Sequence, residues 1–211
     1  MGPAARRSRG QARNHLAYWA RPQTGTLTYV ALGDSAGVGV GVDDPQRGYV
    51  GVIADRLAET TGHSVRTVNL SVSGARAHDV LNTQIPQLST TATPDVLTCV
   101  IGGNDVAWAP LFRTREFAEA MQAITTRLPE GFVVGLVPYF LHWPYEGRAR
   151  KANEAIGAAA KASGHSIADI HTATKSLSLA RYLRTFASDR FHPNERGHAL
   201  WAEALWEQIA L

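Results

Sequence analysis

A single cysteine, Cys99, stands in 211 residues, so no internal disulfide can staple the chain and its stability must come from a packed core. One thiol also suits a reducing compartment, and a cytoplasmic location is the expectation. No apolar run approaches the roughly 18 residues of a membrane span. The longest aromatic-apolar stretch near the N-terminus, LAYWA at residues 16–20, is too short, and no apolar core of a secretory leader precedes it. Stable membrane insertion is therefore not expected. There is no GK followed by Ser or Thr and no GxGxxG, which removes the usual phosphate cradle even though GVGVG occupies residues 37–41. His142, His171 and His198 have no carboxylate or cysteine at metal-ligand spacing, so neither a metal nor a cofactor is expected.

Acidic residues are missing from the first 33 positions. Arg6, Arg7, Arg9, Arg13 and Arg21 all precede Asp34, the first carboxylate. Setting those five aside from 21 basic residues leaves 16 against 18 acidic ones, so the net charge of +3 belongs to the N-terminal segment and the rest of the chain is mildly acidic. A nucleic-acid-binding domain carries its basic patch on the folded body, so no nucleic-acid partner is expected. Residues 1–25 read as a basic, solvated extension with one short helix near residues 11–20, and residues 26–211 as a single domain; the oligomeric state is left open.

What is present is ordinary globular composition, 45% hydrophobic and 18% charged, arranged in alternating strand and helix patterns. The apolar run Val30, Ala31, Leu32 ends at Gly33 and is followed by the glycine-rich stretch, which reads as a strand and a sharp turn. Further strands are expected at residues 65–72, 95–101, 132–137 and 166–170, with helices at residues 49–60, 78–88, 115–128, 149–162 and from Asn194 onward. Pro86 should disturb the second of these helices, and residues 177–187 resist assignment. Five strands alternating with helices imply an α/β fold, a parallel sheet covered on both faces. Open sheets of this kind bind ligands at the carboxyl ends of their strands, and Ser35, just beyond the first strand, is the first candidate nucleophile.

Four short blocks occur in order: GDS at residues 33–35, NLSVSG ending at Gly74, IGGND containing Asn104, and DRFHPN at residues 189–194. Together they resemble the sequence blocks of the SGNH hydrolases, also called the GDSL esterase/lipase family, over residues 29–204. The resemblance implies a three-layer α/β/α, flavodoxin-like fold with strand order 2-1-3-4-5. It also implies an oxyanion hole formed by the backbone amides of Ser35 and Gly74 and the side-chain amide of Asn104. Ala36 departs from the pattern, since the name-giving motif has leucine there.

A serine hydroxyl needs a neighbouring base, and the base needs a partner that fixes its tautomer. Asp189 and His192, three residues apart in a turn, can supply both, with one imidazole nitrogen on the carboxylate and the other facing Ser35. GDSAG also fits the GxSxG elbow of the α/β hydrolases. That elbow follows several strands, whereas only about thirty residues precede Ser35, and an Asp and His so close together also favour the SGNH pattern. Asp34 and Asp105 read as structural acceptors and Cys99 as a packed core thiol. Trp108 and Phe112 after GGND, and Tyr139 and Trp143 after the fourth strand, are candidate substrate-binding residues at the mouth of an acyl pocket. The expected activity is hydrolysis of a small acyl ester through an acyl-enzyme. A thioester or a sugar O-acetyl group is the alternative substrate, and a non-catalytic acyl-binding protein is the remaining reading.

Overall fold

The structure is a computed structural model that describes residues 2–91, 93–108 and 111–211. Its centre is a five-stranded sheet of β1 (Leu27–Gly33), β2 (Val65–Asn69), β3 (Val96–Val100), β4 (Val133–Gly135) and β5 (Ser166–Ala168), in the order β2-β1-β3-β4-β5. Every pairing is parallel. The order is the one the family resemblance implied.

Side chains alternate across β1, so its two faces build two cores. Val30 and Leu32 join a cluster with Met121 and Ile124 of α7 (Thr114–Arg127) and with Ala152 and Ile156 of α8 (Tyr145–Ala162). Tyr29 and Ala31 face the other way, toward Ile53 and Leu57 of α3 (Tyr49–Thr61) and toward Trp201 and Leu205 of α11 (Glu195–Trp206). Leu32, Leu57, Ile124, Ile156 and Leu205 are fully buried, and each such side chain contributes about 1.5–3 kcal/mol. Tyr29 is buried too, and its hydroxyl is satisfied by Thr98 at 2.8 Å.

Two segments depart from the sequence expectation. The helix expected at residues 78–88 is broken into α4 (Ala77–Asp79), a wide π turn (Val80–Gln84) and α5 (Ile85–Leu88). Pro86 has no N–H to bond the carbonyl four residues back, and the Ile85 N–H reaches Val80 O, five residues back. The second departure is at the N-terminus: the short helix expected near residues 11–20 is part of a 17-residue helix, α1 (Pro3–Trp19), and the segment expected to be solvated packs on the body. Ala12, His15 and Trp19 form its buried face. Trp19 Nε1 donates to Val38 O at 3.1 Å and Gln11 Nε2 to Val42 O at 2.8 Å, while the Gly41 N–H donates to Gln11 Oε1 at 3.2 Å. Alanine and histidine at helical spacing carry little apolar signal, and the arginines on the outer face gave the segment its solvated look.

Candidate active site

The topology reverses direction between β1 and β3, because β2 lies on one side of β1 and β3 to β5 on the other. Ligands bind in the crevice at such a point, beyond the carboxyl ends of the strands. Gly33 pairs with Val100, so the chain leaves β1 and β3 at the same level. Ser35 opens the short helix α2 (Ser35–Val38), and Asn104 lies in α6 (Gly103–Trp108), on the two sides of the crevice. Asp34 caps α2 by accepting the Ala36 N–H at 2.9 Å, which fixes the turn that presents the serine. Behind it, Gln84 grips both polar groups of Gly33: its side-chain amide donates to the carbonyl at 2.8 Å and its Oε1 accepts the N–H at 2.9 Å.

The third side of the crevice is a tight loop ahead of α11. Asn194 caps that helix by accepting the N–H groups of Arg196 and Gly197 at 3.0 and 3.3 Å. Its amide also donates to Arg184 O and Phe186 O, both at 2.9 Å, and Ala187 N–H donates to His192 O, also at 2.9 Å. Within the loop, Asp189 Oδ1 accepts the backbone N–H groups of Phe191 and His192, each at 3.0 Å. The other oxygen, Oδ2, is 2.6 Å from His192 Nδ1, and His192 Nε2 is 3.0 Å from Ser35 Oγ. With the imidazole proton on Nδ1, held by the carboxylate, Nε2 can accept the proton of Ser35. The structure thus brings together Ser35, His192 and Asp189, 157 residues apart in sequence from first to second, in one unbroken line of hydrogen bonds. Burial alone would raise the Asp189 carboxyl. Hydrogen bonds from the His192 ring, the Ser8 hydroxyl and the two loop amides outweigh it and hold the group well below the usual carboxylate range.

Gly41 allows the two halves to meet. It has φ +109°, and a Cβ there would run into Pro193 O and lie 3.2 Å from His192 Cβ. His198 on α11 ties the same parts from behind: its Nδ1 accepts the Tyr49 N–H at 3.2 Å and its Nε2 donates to Val40 O at 3.2 Å. Burial pushes this imidazole down to about 4, so it stays neutral and serves as a structural clasp.

The candidate oxyanion donors sit opposite. Ser35 is the first residue of α2, where an N–H has no carbonyl a turn back to bond. Gly74 adopts φ +85° and is exposed in the loop after β2, and a Cβ added there would meet nothing within 4 Å. Asn104 Nδ2 donates to Ala75 O at 2.9 Å, which anchors the Gly74 loop, and stands 3.4 Å from Asp34 Oδ2, a weak bond that leaves its second N–H nearly uncommitted. Asp34 and Asp105 hold backbone amides, as the sequence reading expected, Asp105 accepting the Ala77 N–H at 3.1 Å. Burial pushes both carboxyls up to about 6. Cys99 is fully buried in β3, and burial pushes its thiol up to about 12.

Beside the serine lies a cavity of about 710 Å³. Its walls include Val100, Ile101, Val137, Phe140, Phe186 and Trp201. Of the four candidate substrate residues, Tyr139 lines this cavity. Phe112 instead packs at a tilt against Phe117, with ring centres 5.4 Å apart, and faces a separate groove with Arg76 and Arg113. Trp108 is 61% exposed and rests on Phe191 at the rim, and Trp143 is 87% exposed. Aromatic loop residues after a strand signal a site edge, but which of them turn inward depends on tertiary bonds that the sequence does not display. Here those bonds come from Glu146, which accepts the Phe140 N–H at 3.1 Å and pairs with His171 at 3.1 Å, and from Tyr182, whose hydroxyl donates to Tyr139 O at 2.7 Å.

The fold and this geometry define a flavodoxin-like α/β protein with a Ser-His-Asp constellation at the sheet's switch point. The profile of the GDSL-like Lipase/Acylhydrolase family matches residues 31–200, and the chain belongs to that family. It is similar to the GDSL-like esterase Rv1075c of Mycobacterium tuberculosis, with 25% identity over 205 residues. That match takes in 89% of this chain but 63% of the relative's length. Among solved structures it is similar to a lipase/acylhydrolase from Enterococcus faecalis (TM-score 0.71, 18% identity, 87% of this chain and 95% of the other). It is similar as well to Axe2, an acetylxylan esterase from Geobacillus stearothermophilus (TM-score 0.68, 21% identity, 88% and 95%). At such identities the structural likeness speaks for the fold. Among the described residues, no helix is long and apolar enough to cross a membrane.

Proposed function

We propose that this protein hydrolyses carboxylic esters through an acyl-enzyme formed on Ser35, with His192 as general base and acid and Asp189 as the group that orients it. The observation that carries this reading is the continuous line Ser35 Oγ, His192 Nε2 and Nδ1, Asp189 Oδ2, at 3.0 and 2.6 Å, beside an apolar cavity. Ser35 Oγ attacks the carbonyl carbon as its proton passes to His192. The carbonyl oxygen becomes an oxyanion, which the amides of Ser35 and Gly74 and the weakly held second N–H of Asn104 can stabilise. The C–O bond then breaks, and His192 returns the proton to the leaving alkoxide. Water, deprotonated by the same imidazole, cleaves the acyl-serine ester and regenerates the hydroxyl.

The cavity is far larger than a two-carbon acyl group needs, which favours an alkyl or arylalkyl acyl chain over acetate. A cytoplasmic setting suits the single buried cysteine. Initial rates on p-nitrophenyl esters of increasing chain length, with matched acyl thioesters, test the assignment. The expected result is a kcat/KM maximum at a chain longer than acetyl, with esters preferred. An acetyl optimum would overturn the acyl-chain assignment, a thioester preference would replace the bond, and no turnover on any member would overturn hydrolysis.

A further inference from the structure

One neighbour of the catalytic loop comes from the N-terminal helix, far outside the four sequence blocks. Ser8, on α1, places its hydroxyl 2.5 Å from Asp189 Oδ2, across 181 residues of sequence. The same hydroxyl is 3.2 Å from Ala4 O, but it has one proton, and the shorter contact to a charged acceptor takes it. Asp189 Oδ2 therefore receives two donors, Ser8 Oγ–H and His192 Nδ1–H, while Oδ1 receives two backbone amides. All four bonds together leave the carboxylate a single orientation.

The rest of α1 is fastened to the other half of the constellation. Gln11, His15 and Trp19 bond to the backbone of residues 38–43, the stretch that runs on from Ser35, and Arg7 pairs with Asp43 at 2.7 Å. One rigid helix thus touches the loop that carries the nucleophile and the loop that carries the acid. We infer that α1 is a clamp on the catalytic constellation and that Ser8 is a positioning residue, acting through Asp189 to set the orientation of His192. This inference rests on the triad proposed above.

Ser8→Ala removes the hydroxyl from a helix surface where alanine is the best helix former, so the fold is expected to hold. Without the Ser8 bond, Asp189 is freer to rotate and draws the His192 proton more strongly. The expected result is a kcat about tenfold lower with KM within about twofold, reflecting the loss of one hydrogen bond to a charged group. The acidic limb of the kcat/KM profile should move up by about half a pH unit. Asp34 behind Ser35, His198 on α11, His15 on α1 and Arg190 in the loop are present in both proteins, so the comparison isolates the Ser8 bond. Ser8→Thr keeps the hydroxyl and should restore both rate and profile, and Arg9→Ala, on the exposed side of the same helix, should match wild type. A Ser8→Ala enzyme with wild-type kcat and a superposable pH profile overturns the inference. So does an equal loss in Ser8→Ala, Ser8→Thr and Arg9→Ala, which would mean that only helix packing matters. A fluorophosphonate probe separates this failure from failure of the triad. Labelling of Ser35 at equal rates in wild type and Ser8→Ala sinks the role of Ser8 alone, whereas absence of labelling in wild type sinks the triad.

Discussion

Replacing Asn104 by alanine has two consequences that the structure keeps distinct. The side-chain amide donates one N–H to Ala75 O at 2.9 Å, and its other N–H is held only weakly by Asp34 at 3.4 Å. Loss of the first bond leaves a buried carbonyl unpaired and frees the Gly74 loop, at a cost of about 1–3 kcal/mol of stability. For a chain of this length that corresponds to a fall in Tm of about 2–12 °C. On the oxyanion role proposed for it, loss of the second N–H should lower kcat by about 10² to 10³. KM should move far less, since the negative charge is present mainly in the transition state. Thermal unfolding and steady-state kinetics on one preparation, assayed well below the lowered Tm, read both numbers. A reduced Tm with wild-type kcat would show that Asn104 is only the clasp of the Gly74 loop. A loss confined to KM would equally refute its role at the oxyanion.

His198→Gln isolates the buried imidazole. Its folded-state value is depressed to about 4, so the stability it lends is complete above about 6.5 and is lost as pH falls through about 4. Over that window wild type should lose up to about 3 kcal/mol relative to the variant in urea unfolding. Asp34 and Asp105, raised to about 6, act in the opposite sense, but they are common to both proteins and drop out of the difference. Parallel stability curves would contradict the neutral clasp. Gly41→Ala drives a methyl into Pro193 O at a positive φ and should cost about 1–3 kcal/mol of stability, with kcat/KM reduced by more than the unfolded fraction explains. Unchanged kinetics would show that the two loops need not touch.

The parts of this molecule that are local in sequence were also legible in it. Val30 to Leu32 reads as a strand because three consecutive apolar residues end at a glycine, and Asp189 can face His192 because a spacing of three in a turn allows the two side chains to lie on one side, as they do here. The strand order came from likeness to a family rather than from pattern, since parallel pairing is a long-range choice that hydrophobic runs do not encode. Gln84 and Ser8 carried no signal: a polar residue on a mixed helix shows its purpose only once Gly33 or Asp189 has been folded against it. The docking of α1 was hidden for a related reason, because Ala12 and His15 are buried by the loop they meet rather than by their own hydrophobicity. Trp108 and Trp143 illustrate the converse, large aromatic residues, one at the end of α6 and one in a loop, that remain in solvent.

The central claim is that Ser35 is the nucleophile. Incubation with a fluorophosphonate, followed by mass spectrometry of peptides and by ester hydrolysis assays on the same samples, tests it most directly. The account predicts one adduct, on Ser35, whose extent tracks the loss of activity, and a folded Ser35→Ala protein that takes up no probe and has lost hydrolysis by several orders of magnitude. An adduct on another serine, or a Ser35→Ala protein that retains about a tenth of the wild-type rate, would contradict it.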